Sequence, residues 1–183
     1  MTAEGLTAAA QTSAIAAAQA AATAAALVKL SGDVVQQVYA SSGAVSTVST
    51  IIPYDDTIPQ ITEGTEILTA TLTPASASNY LEIEAVVHVA GNATSGYLIG
   101  ALFQDATANA LMADIVTYTG AGFQYQLTVR CRVLAGTTSA TTIRLRVGPG
   151  SGTTTQVTIN GSAAARVLGG VYISSLTVTE IKA

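Results

Sequence analysis

One histidine, one cysteine, a group of carboxylates and four closely spaced arginines are where this chain could do chemistry. His88 would need a serine or cysteine within reach to act as a base to a nucleophile. It lies in an alternating stretch that puts it on the face of Glu82, Glu84 and Val86, opposite Leu81, Ile83 and Val87. That makes it a solvent or interface residue, and no nucleophile can be assigned to it from spacing. Cys131 alternates with Val129 and Val133 and reads as a small core hydrophobe. Asp55, Asp56 and Glu63 are hard oxygen donors of the kind that hold Ca²⁺, but their spacing matches no calcium loop. Turn-forming Asp side chains that bond nearby amides account for the same residues, so no metal is expected. Asp105, Asn109 and Asp114 are read the same way. Gly148–Gly152 lacks a lysine and is a turn, not a phosphate loop.

The arginines are the most informative charges. Arg130, Arg132, Arg144 and Arg146 make up most of the seven basic residues. If their two strands pair as a hairpin about Thr138, Arg130 faces Arg146 and Arg132 faces Arg144. Like charges across a ladder are destabilising, so a partner is required. Glu82 and Glu84 are the natural ones, within the sheet or across a subunit contact, where Arg–carboxylate pairs orient an interface well. A solvated face, or an anionic ligand such as an acidic surface glycan, are the alternatives.

The elements that carry these residues are strands. Thr65–Thr73, Asn79–Ala90, Tyr97–Phe103, Leu111–Thr119, Gly122–Leu134, Thr141–Val147, Thr154–Asn160 and Val171–Lys182 alternate or run apolar between turn signals. In Gly122–Leu134, Tyr125, Leu127, Val129, Cys131 and Val133 face inward. Asp33–Ala40 and Ala44–Ile52 read as two further strands joined at Ser41–Gly43. No helix-period segment lies between the later strands, so the fold class is mainly β, an antiparallel sandwich or jelly roll. Residues 51–68 (IIPYDDTIPQITEGTEIL) hold two of the four prolines. Neither a helix nor a central strand passes through them, and they read as an ordered crossover.

Residues 3–30 are largely alanine, which predicts a helix about 40 Å long, stopped at Ser31-Gly32. Its few large apolar residues include Leu6, Ile15, Leu27 and Leu30. A thin seam through Leu6, Ala10, Ser13, Ala17, Ala20, Ala24 and Leu27 suits close bundling of copies or docking on a larger assembly better than packing on a head. A frayed tail is the plain alternative. The expected domains are therefore a helical stem or anchor at 1–32 and a β-sandwich head at 33–183.

Composition bounds the function. The chain is 49% apolar and only 10% charged, well under the roughly 25% of ordinary soluble domains. Much of its surface is expected to be covered by sister subunits. A net charge of −4 offers no attraction to nucleic acid. The first basic residue is Lys29, so no secretory signal is expected, and residues 8–28 are too weakly apolar for membrane insertion.

Four phrases resemble a module of tailed-bacteriophage fibre-type proteins: IPYDDTIPQITEGTEIL (52–68), ALFQDATANAL (101–111), AGTTSATTIRLRVG (135–148) and ARVLGGVYISSLTVTEI (165–181). The likeness spans roughly residues 34–182. It implies a virion protein, a trimeric β-rich head on a fibre or spike, without catalytic site or cofactor. The expected partners are two further copies, other virion proteins through the helix, and a host surface glycan. Tyr54, Tyr97, Tyr118 and Tyr125 are the stacking residues such a glycan would use. A capsid-decorating head fibre and a free carbohydrate-binding module are the alternative readings.

Overall fold

The computed structural model describes residues 8–26, 30–150 and 154–183. Helix α1 (Ala8–Ala26) follows from the alanine run, the residue with the least entropy to lose in a helix. The side chains of residues 11–20 are all exposed, so that part of the helix lays no face on the strands. The proposed extension of the helix to residues 3–7 and 27–29 lies outside the described residues. Gly32 adopts a left-handed φ of 89°. From there the backbone is fixed, since Gly32 N–H donates to Lys182 C=O and Lys182 N–H to Asp33 C=O, both at 2.9 Å.

Two antiparallel sheets then face each other. The first holds β1 (Val34–Ser42), β2 (Ser46–Val48), β4 (Tyr80–Gly91), β7 (Tyr125–Leu134), β9 (Val157–Ile159) and β12 (Ser174–Ile181). Its order is β1-β12-β4-β9-β2, with β7 along the other side of β4. The second holds β3 (Thr65–Leu72), β5 (Ser95–Gln104), β6 (Met112–Thr119) and β8 (Thr141–Pro149), in the order β3-β8-β5-β6. A small hairpin of β10 (Gly161–Ser162) and β11 (Ala165–Arg166) leads back to β12. The expected mainly β sandwich with an N-terminal helix is what the chain forms.

Alternation places the core. Leu81, Ile83, Ala85, Val87 and Val89 of β4, with Leu127 and Val129 of β7, meet Ile143, Leu145 and Val147 of β8 and Leu98 and Leu102 of β5. Strand β5 is apolar on both faces for a structural reason. Its outward Ile99, Ala101 and Phe103 form a second small core with Ile52 of the 51–64 crossover. The crossover lies against the outside of the second sheet, tied by Ile52 N–H to Pro149 C=O at 3.0 Å and Ala110 N–H to Pro59 C=O at 2.9 Å. A Cβ on Gly148 would come within 2.2 Å of Thr50 O, so only glycine allows this close backbone approach.

β1 pairs with β12 and β2 with β9. The expected hairpin of β7 and β8 about Thr138 does not form. β7 lies beside β4, whereas β8 lies between β3 and β5 in the opposite sheet. The connection between them crosses the sandwich, held by Ala135 N–H to Asn79 C=O at 2.8 Å and Gly136 N–H to Ala77 C=O at 3.0 Å. Both strands point apolar side chains at one core, and period-2 alternation reports only that face, never the neighbour.

Candidate functional site

Splitting β7 from β8 separates the arginines into two pairs with different work. In the first sheet, register sets Glu82 opposite Arg132 and Glu84 opposite Arg130. Arg130 Nε lies 2.6 Å from Glu84 Oε2, and Arg132 Nη1 lies 3.6 Å from Glu82 Oε1. Arg132 also sits over the Tyr80 ring, 4.3 Å from its centroid. These groups line an open trough of about 470 Å³ with Gln37, Thr177 and Thr179. The compensation demanded by clustered arginines comes from within the sheet, and because these side chains are largely exposed each pair is a weak contributor.

Arg144 and Arg146 instead clamp the crossover. Arg146 donates from Nε to Glu63 C=O at 2.8 Å and from Nη2 to Gly64 C=O at 2.9 Å. Glu66 Oε2 lies 2.9 Å from Arg144 Nη1 and 3.8 Å from Arg146 Nη1, so one carboxylate serves both guanidinium groups. Arg144 Nε also donates to Asp105 C=O at 2.9 Å. Asp105 in turn accepts from Thr141 Oγ1 and Thr142 N–H, both at 2.8 Å. Gln60 Nε2 donates to Asn109 Oδ1 at 3.1 Å, beside a single bridge between these two residues. The clamp draws together residues 60–66, 105–109 and 141–146, segments far apart in the chain.

His88 is half-buried on the outer face, its ring stacked on Tyr172 with centroids 3.9 Å apart. Burial holds its pKa below the usual value. Its backbone N–H, not its imidazole, meets Ser174 Oγ at 3.1 Å, so no nucleophile–base pair exists there. Cys131 is half-buried against the core, and burial pushes its thiol up, as befits an unreactive side chain. Asp55 Oδ1 accepts from Thr57 Oγ1 at 2.5 Å and Thr57 N–H at 2.9 Å, and these bonds hold its carboxyl below the usual range. Glu63 Oε2 accepts from Gln60 N–H at 2.9 Å. Both are turn carboxylates, and among the described residues no cluster of metal-ligating groups occurs. Of the helix residues, Ile15 and Leu30 are exposed, while Leu6 and Leu27 lie outside the described residues. Among the described residues no helix is long and apolar enough to cross a membrane.

Four tyrosines were candidates for stacking a ligand, and burial separates them. Tyr118 has no exposed surface, its hydroxyl 2.8 Å from Thr154 Oγ1. Tyr125 packs against the core and spends its hydroxyl on Thr119 N–H and C=O, at 3.1 and 3.0 Å. Tyr54 is 53% exposed and lies against Tyr97, with ring centroids 4.1 Å apart and planes 32° apart. It borders a cleft of about 220 Å³ whose other walls include Pro53, Asp55, Pro59, Ile99 and Asp114.

Glu180 was missed. It occupies the inward phase of β12 after Leu176 and Val178 and has no exposed surface. Its Oε1 accepts from Asn79 Nδ2 at 2.6 Å, Ala75 N–H at 2.8 Å and Ser76 N–H at 3.4 Å, and Oε2 accepts from Gln36 Nε2 at 2.6 Å. Burial pushes its pKa up, but these donors outweigh burial and hold it below the usual value. A glutamate in phase with an apolar face was the available signal. It is a structural anchor for the 73–79 loop.

No protein-family model and no curated protein matches the chain. Solved structures give low-level likenesses. The EclA C-terminal domain, a sugar-binding protein, is 18% identical, with a TM-score of 0.32 over 73% of this chain and 77% of that one. The structure of infectious bursal disease virus Gt strain is 11% identical, with a TM-score of 0.42 over 85% of this chain and 40% of that one. Dimeric latent PorU from Porphyromonas gingivalis is 10% identical, with a TM-score of 0.35 over 85% of this chain and 14% of that one. At these identities and scores none of the three bears on what the chain does.

Proposed function

We propose that this chain is a structural virion protein of the bacteriophage fibre or spike type, acting as a homotrimer and without catalysis. Its sandwich is the head that meets the host surface, and its alanine-rich helix joins copies to one another or to other virion proteins. The observation that carries this reading is the clamp. Residues 52–68, 101–111 and 135–148, which bear the resemblance to phage fibre modules, meet in one network built on Arg144, Arg146, Glu66 and Asp105. That the phrases carrying the resemblance meet in one network supports this reading. The uniform exposure of helix residues 11–20 supports a stem that finds its packing outside its own head. That exposure serves a capsid-docked head fibre equally well. Absolute mass by light scattering tests the reading: three times the 18.4 kDa chain mass is expected. A monomer at micromolar concentration would refute the trimeric fibre.

A further inference from the structure

The cleft beside Tyr54 has the chemistry of a sugar site, and its charge specifies which sugars. We propose that it is the ligand site of the head and takes one neutral ring, a hexose or N-acetylhexosamine unit of an uncharged surface glycan. This rests on the reading of the chain as a surface-contacting head and adds the place and the ligand class. At about 220 Å³ the cleft falls below the roughly 300 Å³ where drug-sized pockets begin, which suits a single ring. Its floor is the buried Ile99, and Pro53 and Pro59 stiffen its walls, so little is left to order on binding. Tyr54 offers an aromatic platform whose tilt is set by Tyr97 beneath it.

The polar groups select the ligand. Asp55 and Asp114 both line the cleft. Each engages one oxygen locally, Asp55 Oδ1 with Thr57 and Asp114 Oδ1 with Ile115 N–H at 2.7 Å. Among the described residues the second oxygen of each makes no hydrogen bond, which leaves acceptors for sugar hydroxyl donors. No basic side chain lines the cleft, and its two carboxyl groups disfavour a sialic acid, a uronic acid or a phosphate. The four arginines of β7 and β8 offer no rival anion site, and the exposed Arg166 of β11 does not line the cleft. Each of the four already engages a glutamate, and Arg144 and Arg146 also bind backbone carbonyls.

The test is a neutral-glycan microarray probed with the full chain, followed by saturation-transfer NMR with methyl glucoside, lactose, an N-acetylglucosamine oligomer and sialyllactose. Binding of at least one neutral probe is expected, with sialyllactose no better than lactose. Tyr54→Ala should weaken that binding about tenfold, the equivalent of one lost aromatic contact. Tyr54→Phe should keep it, and Asp114→Asn, on an exposed side chain, should weaken it several-fold without changing the circular dichroism. Binding confined to acidic glycans, binding unchanged in Tyr54→Ala, or no neutral glycan bound would each overturn the site. A trimer that adheres to bacterial cells as well with Tyr54→Ala as without it would keep the fibre reading and remove this inference alone.

Discussion

Replacing Glu180 tests whether a buried carboxylate anchors the rim of the sandwich. Alanine there strands the buried Asn79 Nδ2 and the partly buried N–H of Ala75, both in the 73–79 loop, whereas Gln36 Nε2 can turn to Thr73 C=O, to which it already donates at 2.7 Å. A stranded buried donor costs roughly 1–3 kcal/mol, and bonds to a charged acceptor lie at the upper end. Glu180→Ala should therefore destabilise by about 3–5 kcal/mol, and Glu180→Gln, which keeps one acceptor oxygen, by about 1–2 kcal/mol. At roughly 2–4 °C per kcal/mol for a chain this size, the alanine variant should melt about 10 °C lower. The carboxyl is held below its ordinary value in the fold. Its contribution is thus fully present above the unfolded glutamate value, about 4.3, and is lost as pH falls through the lower folded value. Urea midpoints for wild type and Glu180→Gln, at one protein concentration and from pH 7 down to pH 3, read this directly. The gap between them should be widest at neutral pH and close in acid. A gap that is absent at pH 7, or that persists unchanged to pH 3, would refute the reasoning.

Other perturbations follow from the same geometry. Arg146→Ala, which removes two bonds to crossover carbonyls from a mostly buried side chain, should cost about 2–3 kcal/mol, against at most about 0.5 kcal/mol for Arg130→Ala, by urea denaturation of both. Gly148→Ala drives a methyl into Thr50 O, so it should destabilise by about 2 kcal/mol or more and raise protease cleavage within residues 51–64. The Cys131 thiol should react with a disulfide reagent only slowly at pH 8 in the native chain and promptly in denaturant, since burial raises its pKa. Fast labelling of the folded chain would contradict its place against the core.

What the sequence disclosed was which residues point inward. Leu81, Ile83, Ala85, Val87 and Val89, and Ile143, Leu145 and Val147, alternate cleanly, and all eight are buried. Pairing was another matter. A hairpin between β7 and β8 is the cheapest guess for two alternating strands six residues apart, because short loops usually join neighbours. Nothing in the alternation distinguishes that from a loop that crosses the sandwich. The distinguishing information lies in Asn79, Ala77 and Asp105, whose bonds hold the crossing and whose positions become meaningful only in three dimensions. The tyrosines show the same boundary. All four had the right chemistry for stacking, yet backbone packing alone buries Tyr118 and leaves Tyr54 exposed.

The arginine clusters turn this into a point about function. Read as one face, Arg130, Arg132, Arg144 and Arg146 form a dense cationic patch that would demand an acidic partner from outside, whether a subunit or an acidic glycan. Divided between two sheets, each pair finds its glutamate in an adjacent strand, Glu84 and Glu82 for the first and Glu66 for the second. The surplus positive charge vanishes, and with it the physical reason to expect an anionic ligand. At the edge of the crossover that Arg146 holds in place, the Tyr54 cleft is walled by aromatic, apolar and acidic groups and by no basic one. Strand pairing therefore decides the sign of charge the head presents. The search for a ligand belongs with neutral, hydroxyl-rich molecules.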